Sequence, residues 1–166
     1  MQFTEFLYDE IEEKSKFTIS FIKVIRSVFL YNKFIINYKQ SDFGSVSDMI
    51  KNEYRKQSIL IQKNASKYSA VDFQKAASLL IPIYRIFGRF VKQSDLCLER
   101  SMALTYALIS VGIPVNLVIG KAKYYISDNF TFHAWVELYG QPLNDHDGMH
   151  KQWSVIHRLP KPNIGI

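Results

Sequence analysis

Along the first half of the chain the apolar residues fall at helical spacing, and along the last third they gather in short β-branched runs. From Phe17 to Tyr38, the residues Ile19, Ile22, Ile25, Phe29 and Phe34 recur near a period of 3.6, with Lys23, Arg26 and Lys33 mostly between them. That spacing predicts a helix whose Ile and Phe face packs on the rest of the domain. A face that docks on a partner or rests on a membrane surface is the other reading. A membrane span is not expected, because each of the three cations costs about 2.5–3.5 kcal/mol near a bilayer centre.

Ser41 to Ser69 is polar, and Ser41-Asp42-Phe43-Gly44 reads as a turn. Short helices on a solvated face are expected after it, the first capped within Ser45-Val46-Ser47-Asp48 and ending near Lys56. Ala70 to Gln93 is again helical in pattern, with Val71, Phe73, Ala76, Leu79, Leu80, Ile83, Ile86, Phe87 and Phe90 placed for burial. Pro82 should kink or split it. Leu98 to Ser110 is the strongest helix, with Val111-Gly112 and Pro114 as its stop. Beyond Ile113 the period shortens, and Val115–Gly120, Phe132–Leu138 and Trp153–Ile156 read as strands bounded by Gly, Pro, Asn and Asp. Helices first and strands last predict an α+β fold with an antiparallel sheet. Residues 1–93 form a helical scaffold with possible docking surfaces, residues 94–166 the chemical core, and the two make one compact unit.

Composition narrows the classes. At 166 residues the chain can bury enough surface to fold without staples, and its single cysteine excludes an internal disulfide and a multi-Cys zinc site. That lone cysteine points to a reducing, cytoplasmic compartment. Met1 to Lys14 carries Glu5, Asp9, Glu10, Glu12 and Glu13 against one lysine, the reverse of a signal peptide's basic start. The formal charge of +6 is spread out, and no phosphate loop, zinc finger or RNP-like motif accompanies it, so no nucleic-acid partner is expected. A basic surface that serves an acidic peptide explains the charge equally well. His146, His150 and His157 read as surface residues, and neither a metal nor a cofactor is expected.

The chemistry collects around Cys97. Ser94 or Asp95 can cap the helix that follows, which places Cys97 in its first turn, where unpaired N–H groups favour negative charge. Cys97, Ser101, Leu104, Leu108 and Val111 share one face. A cysteine on such a face is ordinarily inert core unless a base lies opposite. His133 is the base candidate, in a strand between apolar neighbours. Asp145 follows across a turn marked by Gly140 and Pro142: an odd-length loop sets it on the face of His133, whereas an even-length loop brings Asn144 or His146 there. With the first register, Cys97 attacks, His133 moves the proton and Asp145 orients the imidazole.

Cys97-Leu98-Glu99-Arg100-Ser101-Met102-Ala103-Leu104, Gly112-Ile113-Pro114-Val115, Leu117-Val118-Ile119-Gly120, His133-Ala134-Trp135-Val136-Glu137 and Gln141-Pro142-Leu143-Asn144-Asp145 together resemble the transglutaminase-like cysteine peptidases of lasso-peptide biosynthesis. The narrower resemblance is to their stand-alone leader peptidases, the protease half of a split B protein. The strong motifs cover about Leu96 to Ile156. The resemblance implies a transglutaminase/papain-like core, a catalytic set of Cys97, His133 and Asp145, and hydrolysis of one peptide bond in a ribosomally made precursor. It also implies a small leader-recognition protein and an ATP-using lasso cyclase as partners. Trp135, Glu137 and Arg100 match the pattern without a chemical role, a structural ion pair being the plain reading of the last two. An acyltransferase using the same three residues, and a non-catalytic docking module, are the alternative functions.

Overall fold

The computed structural model describes residues 16–38, 40–88, 97–124, 131–145 and 148–160. Four long helices come first: α1 (Phe21–Tyr38), α2 (Phe43–Lys67), α3 (Ala70–Gly88) and α4 (Cys97–Ser110). Then β1 (Val115–Ala122), β2 (Phe132–Leu138), β3 (Gln141–Pro142), a short α5 (Met149–Gln152) and β4 (Trp153–Leu159) complete the chain. The fold is α+β, with one antiparallel sheet in the order β3-β2-β1-β4. Among the described residues, no helix is long and apolar enough to cross a membrane.

The helical half departs from its apolar pattern in instructive ways. In α1 the buried residues are Ser27, Tyr31, Phe34 and Ile35, whereas Ile22, Ile25 and Phe29 are 78%, 54% and 65% exposed. The helix is apolar on two sides, and the one that packs carries aromatic and hydroxyl groups: Tyr31 stacks on Tyr84, and the Tyr84 hydroxyl donates to Ser27 Oγ at 2.9 Å. Polar Ser41 to Ser69 holds one helix of 25 residues, capped by Asp42, whose carboxylate accepts from Ser45 N at 2.9 Å. Its inner stripe includes Glu53 and Asn64, and that mixed stripe hides the helix from a search for apolar periodicity. α3 runs through Pro82 without a break. It buries Phe73, Ala76, Ala77, Leu80, Ile81 and Tyr84, while Val71, Leu79, Ile86 and Phe87 stay exposed. Phe90 and Gln93 lie outside the described residues.

α4 ends as its sequence predicts. Gly112 takes φ +85°, Gly112 N donates to Ile109 O and Ile113 N to Leu108 O, the paired bonds of a glycine-terminated helix. Asn64 Nδ2 caps the turn from α2 by donating to Gly112 O at 3.0 Å. α4 is the central strut. Its Met102, Ala103, Ala107, Leu108 and Ile109 are buried in one core that also takes Phe34 of α1, Ile50 of α2, Phe73 of α3 and Ala134, Val136 and Leu138 of β2. The alternate residues of β2 face away from the helices, where Trp135 packs with Val118 and Trp153. Gly120, the cross-strand partner of His133, leaves room for those rings: a Cβ there would sit 2.8 Å from Trp135 and 2.9 Å from Trp153 Cβ.

Candidate active site

Cys97 opens α4, and the described helix begins at that residue. Ser94 and Asp95, the cap candidates, lie outside the described residues, as do Leu96 and His146. His133 stands near the start of β2 on its Trp135 face, its ring 6.1 Å from Trp135 and 5.2 Å from Trp153. These aromatic faces limit the rotation of the imidazole. Its Nε2 lies 2.6 Å from Asp145 Oδ2, and both side chains are about three-quarters buried. Cys97, His133 and Asp145 line the same cavity, of about 470 Å³.

The register that delivers Asp145 differs from the expected one. Tyr139 and Gly140, at φ 48° and 85°, form a two-residue turn, so Leu138 pairs with Gln141 and Glu137 with Pro142. In that even-length register a longer ladder would send Asn144 or His146 toward His133. The ladder stops after two pairs, however, and residues 143–145 bend away from strand geometry. Asp145 reaches the imidazole because the chain has left the sheet, not because it continues it.

Where β3 ends, β2 has an open edge, and side chains close it. Asn144 Oδ1 accepts from Val136 N at 2.7 Å, next to the backbone bond from Leu143 N to Val136 O. Ser101 Oγ donates to Ala134 O at 2.9 Å and accepts from Asn144 Nδ2 at 3.2 Å. Edge groups that would otherwise lack partners are thus satisfied without a strand. Each member adjoins a candidate: Ser101 is one helical turn beyond Cys97, Ala134 follows His133, and Asn144 precedes Asp145.

The remaining cavity wall comes from residues the sequence did not single out for chemistry: Tyr31 of α1, and Ile81, Tyr84 and Arg85 of α3. Burial pushes the Tyr84 phenol up to about 12, offset in part by its bond to Ser27. Burial also raises the Tyr31 phenol, against the positive charges of Arg100 and Arg85. Only the tertiary structure brings these helices to the mouth of the site. Away from the cavity, Glu137 is buried and bonds both Trp135 Nε1, at 2.8 Å, and the Arg158 guanidinium. Trp135 and Glu137 therefore brace the sheet, whereas Arg100 lines the cavity. Among the described residues, no group of His, Cys, Asp and Glu is arranged to hold a metal ion.

A family model described as the transglutaminase-like superfamily matches residues 53–158, well over half of the chain. The match begins inside α2 and takes in α3, α4 and nearly all of the sheet. No curated protein and no solved structure matches the chain.

Proposed function

The chain belongs to the transglutaminase-like superfamily, whose members are typically cysteine proteases or acyltransferases, and on that footing we propose that it is a leader peptidase of lasso-peptide maturation. It cuts one bond of a ribosomally made precursor and frees the core's α-amino group for a cyclase. The observation that carries the reading is the 2.6 Å contact of His133 Nε2 with Asp145 at a cavity that Cys97 also lines. With Nε2 committed to the carboxylate, Nδ1 is the nitrogen available to the thiol. Cys97 Sγ attacks the scissile carbonyl after its proton passes to Nδ1. The tetrahedral intermediate collapses, the imidazolium protonates the departing amine, and a water activated by the same nitrogen releases the acid. Asp145 holds the ring and stabilises its cationic form.

The motif set from Cys97 to Asp145 supports the narrower assignment to precursor processing. A small recognition protein that holds the leader raises the effective concentration of the scissile bond without adding a catalytic group. The test is cleavage of a precursor by the protein with and without that partner, read by mass. Wild type should cut, faster with the partner, and Cys97→Ala should not cut at all. A product carrying an added amine in place of water would make the chain an acyltransferase, and equal cleavage by Cys97→Ala would remove the thiol from the chemistry.

A further inference from the structure

The cavity beside Cys97 runs into an outer groove of about 440 Å³, and the two share Ile81, Arg85, Asn144 and Asp145. Asp145 is engaged with His133, and Asn144 is tied to Val136 and Ser101. Arg85 is different: it is exposed, and among the described residues it makes no hydrogen bond and no ion pair. A second guanidinium, Arg100, lines the inner cavity, so a peptide laid from the groove to Cys97 passes two cations. A planar guanidinium donates through a fixed fork that matches a carboxylate, which a general basic surface does not.

We infer that Arg85 binds an acidic side chain of the substrate, making a Glu or Asp near the reacting carbonyl the feature this cleft selects. This rests on the reading of Cys97 as the nucleophile. Arg85 lines both the cavity and the groove, so it stands on the route from the groove to Cys97. The carboxylate there, Asp145, is held by His133, and two guanidiniums stand against it, so a substrate anion at Arg85 meets net attraction.

Two alkylating agents of similar size test the charge preference without a known substrate. Iodoacetate is anionic and iodoacetamide neutral; with either, a C–S bond forms at the thiolate and iodide leaves. The chain has a single cysteine, so every adduct reports on Cys97. In wild type, Arg85→Gln and Arg85→Lys, the measured quantity is the ratio of the two rate constants at one pH. Arg85→Gln should lower the iodoacetate-to-iodoacetamide ratio about three- to tenfold, Arg85→Lys should retain most of it, and added salt should shrink the difference. An unchanged ratio in Arg85→Gln, with circular dichroism showing an intact fold, would overturn the proposal.

A protection arm identifies the source of the carboxylate. Amidated peptides containing Glu should shield Cys97 from iodoacetamide better in wild type than in Arg85→Gln. Shielding only by Gln-containing peptides with a free C-terminus would overturn the side-chain assignment. The nucleophile reading fails separately: it falls if His133→Ala leaves the iodoacetamide rate unchanged, whatever the Arg85 ratio shows.

Discussion

At the scale of single residues, the contact between His133 and Asp145 separates two kinds of loss. His133→Ala removes the proposed proton carrier and should lower kcat about 10²–10⁴-fold. Asp145→Asn keeps a group at 2.6 Å from Nε2 but loses its charge, and should retain more activity than His133→Ala in the same cleavage assay. Asp145→Asn falling below His133→Ala would assign the carboxylate a direct part in proton transfer. Tyr84 gives a second residue-scale prediction. Its phenol is held up near 12 against an ordinary value of 10.0, so the fold favours its neutral form. A raised acid contributes its full stability below the unfolded value and loses it as pH climbs from about 10 toward 12. Tyr84 should therefore contribute about 1 kcal/mol of the stability that urea midpoints lose between pH 9 and pH 11, and Tyr84→Phe should make that limb shallower, the other raised tyrosines keeping the rest.

At the scale of elements, the edge of β2 is the most exacting feature, because three separate segments meet there through two side chains. Asn144→Ala leaves Val136 N without its acceptor and should cost about 1–3 kcal/mol by chemical denaturation. Activity should fall further than that loss of folded protein explains, since Asp145 is the next residue. The elements themselves were legible to different degrees. α4 was plain because its apolar face, Gly112 and Pro114 all signal one helix and one end. The strands were plain because their β-branched runs are short and clearly bounded. The packing faces of α1 and α2 were not, since Ser27 and Asn64 go inside with tertiary hydrogen-bond partners that no local pattern contains, and the charged Glu53 goes inside with a bond from Gln57 one turn along. That Cys97, His133 and Asp145 would meet at one cavity was legible from residue type, spacing and motif, yet the route by which Asp145 arrives was not. Parity arguments assume that a ladder continues, and this one stops after Pro142.

At the scale of the whole molecule, the helical half is part of the site and not only its support. Tyr31, Ile81, Tyr84 and Arg85 wall the cavity from α1 and α3, while α4 joins that half to the sheet through one continuous core. The two apolar sides of α1 should respond very differently to substitution. Phe34→Ala, at a fully buried position, should cost about 3–5 kcal/mol, whereas Ile22→Gln or Ile25→Gln should stay within about 0.5 kcal/mol of wild type in the same denaturation experiment. Equal effects would mean that the outer side is covered in solution. The seam formed by Ser101, Ala134 and Asn144 bears also on the chain's history during synthesis. Its members come from a helix, a strand and the turn after it, so a ribosome-bound chain that has released only its helices holds a thiol with no imidazole beside it. On the proposed mechanism, cleavage is then withheld until the final strands are in place, and an unfinished copy leaves the peptides around it uncut.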